Sequence, residues 1–92
     1  MAKSQFEKTM SELGYVLEEK DGLKLTYKKN AKYSILVLVI NLELKYINPI
    51  LVPSSVILYE NEVIEMVQDF KCLRIDAKFI SDKSNGVLKV LN

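Results

Sequence analysis

The sequence predicts an α+β domain, in which an N-terminal helix precedes a mainly antiparallel sheet built on a long central strand. A second helix is predicted near residues 60–71, and a β-hairpin is predicted at the C-terminus. Three observations indicate this fold: a helix-capping pattern at the start, a long run of alternating apolar residues in the middle, and turn residues between the later segments. Because 92 residues correspond to one domain, we expect residues 1–92 to form a single α+β domain.

The first helix is predicted over residues 4–13. Ser4 and Glu7 have the spacing of a capping box, in which each side chain bonds a backbone N–H at the helix start. Gly14 follows where a glycine in the left-handed conformation commonly ends a helix. Apolar residues recur at steps of four and three and form a narrow stripe: Phe6, Met10 and Leu13.

A β-hairpin is predicted next, with a three-residue loop over residues 20–22. A two-residue turn at residues 21 and 22 would place Glu18 on the apolar face, whereas the three-residue loop sets Leu17 opposite Leu25. Such a loop needs a left-handed backbone at Gly22. The side chains expected to face the core are Tyr15, Leu17, Leu23, Leu25 and Tyr27.

The most apolar run of the chain covers residues 35–46. Its even-numbered positions are all apolar, whereas its odd-numbered positions change from apolar to polar at Asn41. Because residues two apart share one face of a strand, we expect a single long strand with one uniformly apolar face. A membrane span is not expected, because the uncharged stretch is about half of the roughly 20 residues that a bilayer requires.

For the segment after the long strand, the pattern of apolar residues is compatible with more than one secondary structure. Residues 48–49, Asn-Pro, are expected to end the long strand, because proline cannot donate to a strand ladder. Residues 55–59 are expected to form a short strand. Residues 60–71 favour a helix with Asn61 as its N-cap, and a hairpin over the same residues stays an alternative.

The C-terminal hairpin is predicted from a second alternation of apolar and polar residues. Its apolar positions are Leu73, Ile75, Ala77 and Phe79. The loop that follows ends in Asn85–Gly86, and residues 87–91 are expected to pair back as the last strand.

The residue types argue against an enzyme. Histidine is absent, which removes the commonest general base and the commonest metal ligand. Cys72 has no second cysteine beside it, so we expect an inert thiol, and a single cysteine favours the cytoplasm. The acidic residues Glu62, Glu65 and Asp69 would line one helix face, which favours a solvated surface over a cation site. We therefore expect no metal, no cofactor and no catalysis; an enzyme using these carboxylates is the least favoured hypothesis.

A basic patch provides the alternative function, which is nucleic-acid binding. Its candidate contacts lie on the first hairpin and its exit: Lys24, Lys28, Lys29 and Lys32. Thirteen basic and 12 acidic residues leave a net charge of +1, far from the balance of a dedicated nucleic-acid binder. Glu18 and Glu19 also partly neutralise the patch, so its lysines are better explained as protection of a sheet edge.

The odd-numbered face of the long strand provides the leading hypothesis. Ile35, Val37 and Val39 form its apolar part, and either the second helix or another molecule must cover them. We expect a small non-enzymatic protein-interaction domain, which forms a homodimer or acts as an adaptor or inhibitor of a protein partner.

Overall fold

The computed structural model describes residues 5–55 and 59–91, in which a five-stranded sheet carries two helices. The strands lie in sequence order, with three antiparallel pairs and a final parallel pair between β4 and β5. The α+β class with a mainly antiparallel sheet is therefore confirmed. The elements are α1 (Gln5–Glu12), β1 (Val16–Asp21), β2 (Lys24–Asn30), β3 (Ser34–Asn41), β4 (Tyr46–Pro53), α2 (Glu60–Lys83) and β5 (Lys89–Val90).

Both helices contribute to one core on the same face of the sheet, here called the inner face. Alternate residues of the strands supply this face, and directly opposed pairs such as Leu25–Ile40 and Tyr27–Leu38 lie within it. The buried cluster comprises Met10, Tyr15, Leu25, Tyr27, Leu36, Leu38, Ile40, Ile47, Leu73, Ala77, Ile80 and Leu88. The even-numbered residues of β3 thus face the helices, as their apolar pattern predicts.

The first helix ends as its sequence predicts. Gly14 has φ of 90°, the N–H of Tyr15 donates to the carbonyl of Met10 at 3.0 Å, and Gly14 donates to Ser11 at 3.0 Å. This pair of bonds satisfies two carbonyls at the helix end and turns the chain into β1. The capping box at Ser4 lies outside the described residues.

The register predicted for the first hairpin is wrong. Leu17 pairs with Tyr27 and Lys20 with Leu25, the turn is Gly22–Leu23, and β1 is irregular between Leu17 and Glu19. The extra residue of this bulge places Leu17 on the same face as Tyr27, whereas Lys20 takes the position opposite Leu25 that the prediction gave to Leu17. Gly22 has the predicted positive φ, at 61°.

The single long strand over residues 35–46 is also wrong, because the chain reverses after Asn41. The Asn41 side-chain oxygen accepts the Leu44 N–H at 2.7 Å, and Lys45 adopts φ of 61°. An asparagine side chain that bonds the backbone two or three residues ahead favours a turn over a continuing strand. The first half of the run becomes β3, the middle strand of the sheet, and Leu42 and Leu44 are exposed in the turn.

The Asn-Pro pair at residues 48–49 does not end a strand, because it lies inside β4. Pairing with β5 reaches only Tyr46 and Ile47 of β4, so the rest of β4 is an edge where proline is tolerated. Of the short strand predicted over residues 55–59, residues 56–58 lie outside the described part of the chain. Tyr59 is the N-cap of α2.

The second helix is confirmed but is far longer than predicted. The N-cap is Tyr59, not Asn61, and the Tyr59 N–H donates to Glu62 Oε2 at 3.0 Å. The helix continues to Lys83 and absorbs the segment predicted as the first strand of the C-terminal hairpin. That hairpin is therefore wrong, because the same letters place Leu73, Ala77 and Ile80 at steps of four and three on one buried helix face.

The Asn85–Gly86 pair ends this helix and makes no hairpin turn. Both residues have positive φ, and the Gly86 N–H donates to the Ser81 carbonyl at 3.1 Å. Ser81 Oγ also donates to the Leu88 carbonyl at 2.6 Å, which holds the segment leading into β5 against the helix. The chain therefore enters β5 parallel to β4.

Candidate functional site

The face of the sheet opposite the helices, here called the outer face, holds the predicted interface residues. These residues, Ile35, Val37 and Val39, alternate along β3 with residues of the core. They do not belong to the buried cluster to which both helices contribute side chains. The second helix therefore does not cover them. In the described residues, no helix lies over this face.

Two further apolar residues extend the surface, and the sequence reasoning missed them. Ile50 lies directly opposite Val37, and Val52 lies opposite Ile35, so the four side chains share one face. Ile50 is 37% exposed and Val52 44%, whereas Val37 at 6% is enclosed by its neighbours. The spacing of Ile50 and Val52, two residues apart, is compatible with a strand that places both on one face. This strand was not predicted, because residues 48–49 were expected to end a strand. We call Ile35, Val37, Val39, Ile50 and Val52 the outer patch.

The rim of the outer patch is mostly polar, although the exposed Val16 also lies there, opposite Lys28. Lys28 of β2 lies opposite Val37 of β3, on the side away from β4. Its Nζ forms an ion pair with Glu18 Oε2, at 2.7 Å. Asp21 lies opposite Lys24 in the neighbouring pair of strands. Asn48 follows opposite Val39, so the apolar area gives way to polar residues toward the β3–β4 turn.

The four candidate lysines for nucleic-acid contact do not form one continuous basic surface. Lys24 and Lys28 lie on the outer face, whereas Lys29 Nζ donates to the Leu13 carbonyl at 3.0 Å and lies 5.5 Å from the Tyr15 ring centre. Lys32 lies 5.3 Å from the Tyr33 ring centre. Its interaction with Tyr33, and then the negative charge of Glu65, raise the pKa of Lys32 above its ordinary value. Lys29 thus reaches the end of α1, whereas Lys32 is exposed in the turn between β2 and β3.

The predicted acidic residues lie on the first half of α2, and the only cysteine of the chain follows them. Glu65 and Cys72 are exposed, and Glu62 and Asp69 are half-buried. Within residues 5–55 and 59–91, no three side chains of His, Cys, Asp or Glu converge to hold a metal ion. Glu62 is engaged in capping the helix.

A groove lies at the edge of the inner face, where α1 is too short to cover the first hairpin. Its cavity of about 440 Å³ is lined by Phe6, Leu17, Leu23 and Leu42 among others. Leu17 and Leu23 were predicted to face the core; both line this groove, but both are exposed. Phe6 of α1 packs its ring against that of Tyr27, with the ring centres 6.0 Å apart, and the eight residues of α1 leave the hairpin end open.

A tyrosine joins the start of the sheet to α2. The Tyr15 hydroxyl donates to Asp76 Oδ2 at 2.9 Å, across 61 residues of sequence. Burial, and then the hydrogen bond and negative charge of Asp76, raise the pKa of Tyr15 well above its ordinary value of 10.0. This hydrogen bond helps to hold α2 on the inner face. It involves no residue of the outer patch.

Comparisons with known proteins provide no homologue from which a role could be transferred. No helix among the described residues is long and apolar enough to cross a membrane. No protein-family model, curated protein or solved structure matches the chain.

Proposed function

We propose that this protein is a non-enzymatic interaction domain that self-associates by packing the outer patch against the same patch of a second copy. The observation that carries the proposal is the apolar outer patch, in which Ile50 and Val52 are exposed, Ile35 and Val39 are half-buried and Val37 is enclosed between them, and over which no described helix lies. An antiparallel sheet with one solvated face normally places polar residues on that face. Two sheets that bury such faces pack about 10 Å apart and form a common core.

The dimensions of the outer face suit an interface of ordinary size. Strands β1 to β4 occupy a width of about 19 Å and a length of about 26 Å, from the usual strand spacing and rise. The corresponding flat area is roughly 500 Å², and the relief of the side chains increases it toward the roughly 800 Å² per partner of a standard interface.

The charges on and around this face favour a second copy as the occupant. The chain carries a net charge of +1, so two copies repel each other weakly. On the face itself, Glu18 is paired with Lys28, and Asp21 lies opposite Lys24. Glu19, opposite Thr26 on the same face, adds one acidic side chain to these pairs, so a twofold arrangement brings no large block of like charge together.

The experiment is sedimentation velocity over a wide range of protein concentrations, with the variants Ile50→Lys and Val52→Lys. We expect the original chain to shift from monomer to dimer as its concentration rises. Each substitution places a lysine on both sides of a twofold interface, so the variants are expected to stay monomeric. Ile75→Lys is the matched control, because Ile75 is also exposed but lies on α2, on the other side of the sheet.

Circular dichroism of each variant checks that it is folded. An original chain that is monomeric at every concentration would overturn self-association. Dimers that persist in both outer-patch variants and dissociate in Ile75→Lys would place the interface on the helical side of the molecule.

A further inference from the structure

A second uncovered apolar surface lies on the N-terminal half of α2. The helix has 24 residues and is therefore about 36 Å long, whereas the eight residues of β4 extend for about 26 Å. The helix is thus about 10 Å longer than the strand that precedes it. None of the described residues before Leu73 in this helix is buried.

The N-terminal half continues the packing pattern of the buried half. Along α2, apolar residues follow alternate steps of three and four, which is the spacing of a helix-packing seam: Val63, Met66, Phe70, Leu73, Ala77 and Ile80. The last three are buried against the inner face. Val63 and Phe70 are exposed, Met66 is half-buried, and Val67 beside them is 49% exposed. We call Val63, Met66, Val67 and Phe70 the exposed seam.

The charges around the exposed seam specify its occupant. Residues 60–70 contain four acidic side chains, Glu60, Glu62, Glu65 and Asp69, and no basic one, and the first basic contact is at the C-terminal limit of the seam, where the Arg74 guanidinium lies 6.0 Å from the Phe70 ring centre. Glu62 and Asp69 are each one residue before a seam position, so they flank the apolar stripe. A second α2 packed antiparallel on the same stripe would bring these carboxylates face to face, which disfavours a second copy as the occupant.

We propose that the exposed seam binds a basic amphipathic helix of a partner protein. Apolar side chains at steps of three and four on the partner would enter the seam, and lysine or arginine on its flanks would pair with Glu62 and Asp69. The site is separate from the outer patch, so one copy can self-associate through its sheet and hold a partner through α2. This arrangement gives the domain an adaptor role beyond self-association.

The probe is a fluorescently labelled synthetic peptide of three heptads, with leucine at the core positions and lysine at the flanking positions. Fluorescence anisotropy is expected to show saturable binding to the full chain that weakens as salt increases. A matched peptide with glutamate at the flanking positions is expected not to bind. No saturable binding of the lysine peptide, or equal binding of both peptides, would overturn the proposal.

The variant Val67→Asp separates the apolar seam from its charge. It makes the helix more acidic, so a purely electrostatic contact would strengthen, whereas docking in the seam is expected to weaken about tenfold or more. Ile75→Asp adds the same charge at a residue that is 67% exposed and off the seam, and it is expected to retain binding. Equal effects of the two substitutions would contradict a seam site.

Two outcomes keep this proposal distinguishable from self-association. Ile50→Lys is expected to abolish dimers and leave peptide binding unchanged, because the two surfaces do not share residues. If Val67→Asp instead converts a dimer to a monomer in sedimentation velocity, the occupant of the seam is a second copy, and the partner-helix proposal is wrong.

Discussion

The two halves of α2 share one apolar seam and differ in what covers it. In the C-terminal half, Leu73, Ala77 and Ile80 are buried in the core beside β3 and β4. In the N-terminal half, none of the equivalent positions is buried, and the acidic side chains Glu62 and Asp69 adjoin them in sequence. The same helical periodicity therefore stabilises the fold at one end and leaves apolar side chains uncovered at the other, and substitutions can test the two ends separately.

The largest expected difference between the halves is in stability. Leu73→Ala removes a side chain that is 0% exposed and leaves a cavity in the core, which should lower the free energy of unfolding by about 3 kcal/mol. Val63→Ala, in the N-terminal half, should change it by less than about 1 kcal/mol, because the lost contacts are few and alanine favours helices. Urea denaturation measures both. Equal losses would mean that the N-terminal half also packs against the core of the same chain.

The Tyr15–Asp76 hydrogen bond should give the C-terminal half a pH dependence that the N-terminal half lacks. Tyr15→Phe removes this bond and should lower the free energy of unfolding by about 1–2 kcal/mol at neutral pH. In the original chain, Tyr15 keeps its proton in the folded state above pH 10.0, because its pKa is raised there, whereas the unfolded chain loses it. The folded state then binds more protons, so stability is complete below that pH and falls above it, by up to about 1.4 kcal/mol per pH unit.

Urea denaturation at neutral and alkaline pH tests this sign. The original chain should lose more stability than Tyr15→Phe as the pH rises above 10.0, so the difference between them should shrink or reverse. Tyr59→Phe is the control, since Tyr59 is exposed at the start of α2. A parallel alkaline loss in the original chain and in Tyr15→Phe would show that Tyr15 does not cause it.

The elements that the sequence predicts well are those determined by local chemistry. Gly14 ends α1 with the bonds expected of its position, and Gly22 has the predicted left-handed backbone. The alternation in Ile35–Ile40 correctly separates an inner from an outer face, because side-chain direction in a strand follows from covalent geometry. For the same reason, Ile35, Val37 and Val39 were identified as the face that the second helix had to cover or leave open.

The elements that the sequence predicts incorrectly are those whose pattern of apolar residues is compatible with two structures. Leu42 and Leu44 continue the alternation of β3, and the hydrogen bond from the Leu44 N–H to the Asn41 side chain decides for a turn. That error hid the β3–β4 hairpin and with it the position of Ile50 and Val52. The positions of the helices on the sheet decide which surface stays uncovered. These positions depend on the tertiary fold and cannot be predicted from the periodicity of the sequence alone.

The smallest expected effect tests the segment where the two patterns compete most directly. If residues 73–79 formed a half-buried strand, Ile75 would share the core face with Leu73, and Ile75→Ala would cost about 2–5 kcal/mol. In α2, Ile75 is 67% exposed, and alanine is the better helix former, so the same substitution should change the free energy of unfolding by no more than about 0.5 kcal/mol. Urea denaturation beside Leu73→Ala compares two apolar residues two positions apart in one helix. A large loss for Ile75→Ala would indicate that this face of α2 is buried, either by the chain itself or by an associated copy, and a dependence of the loss on protein concentration would identify the copy.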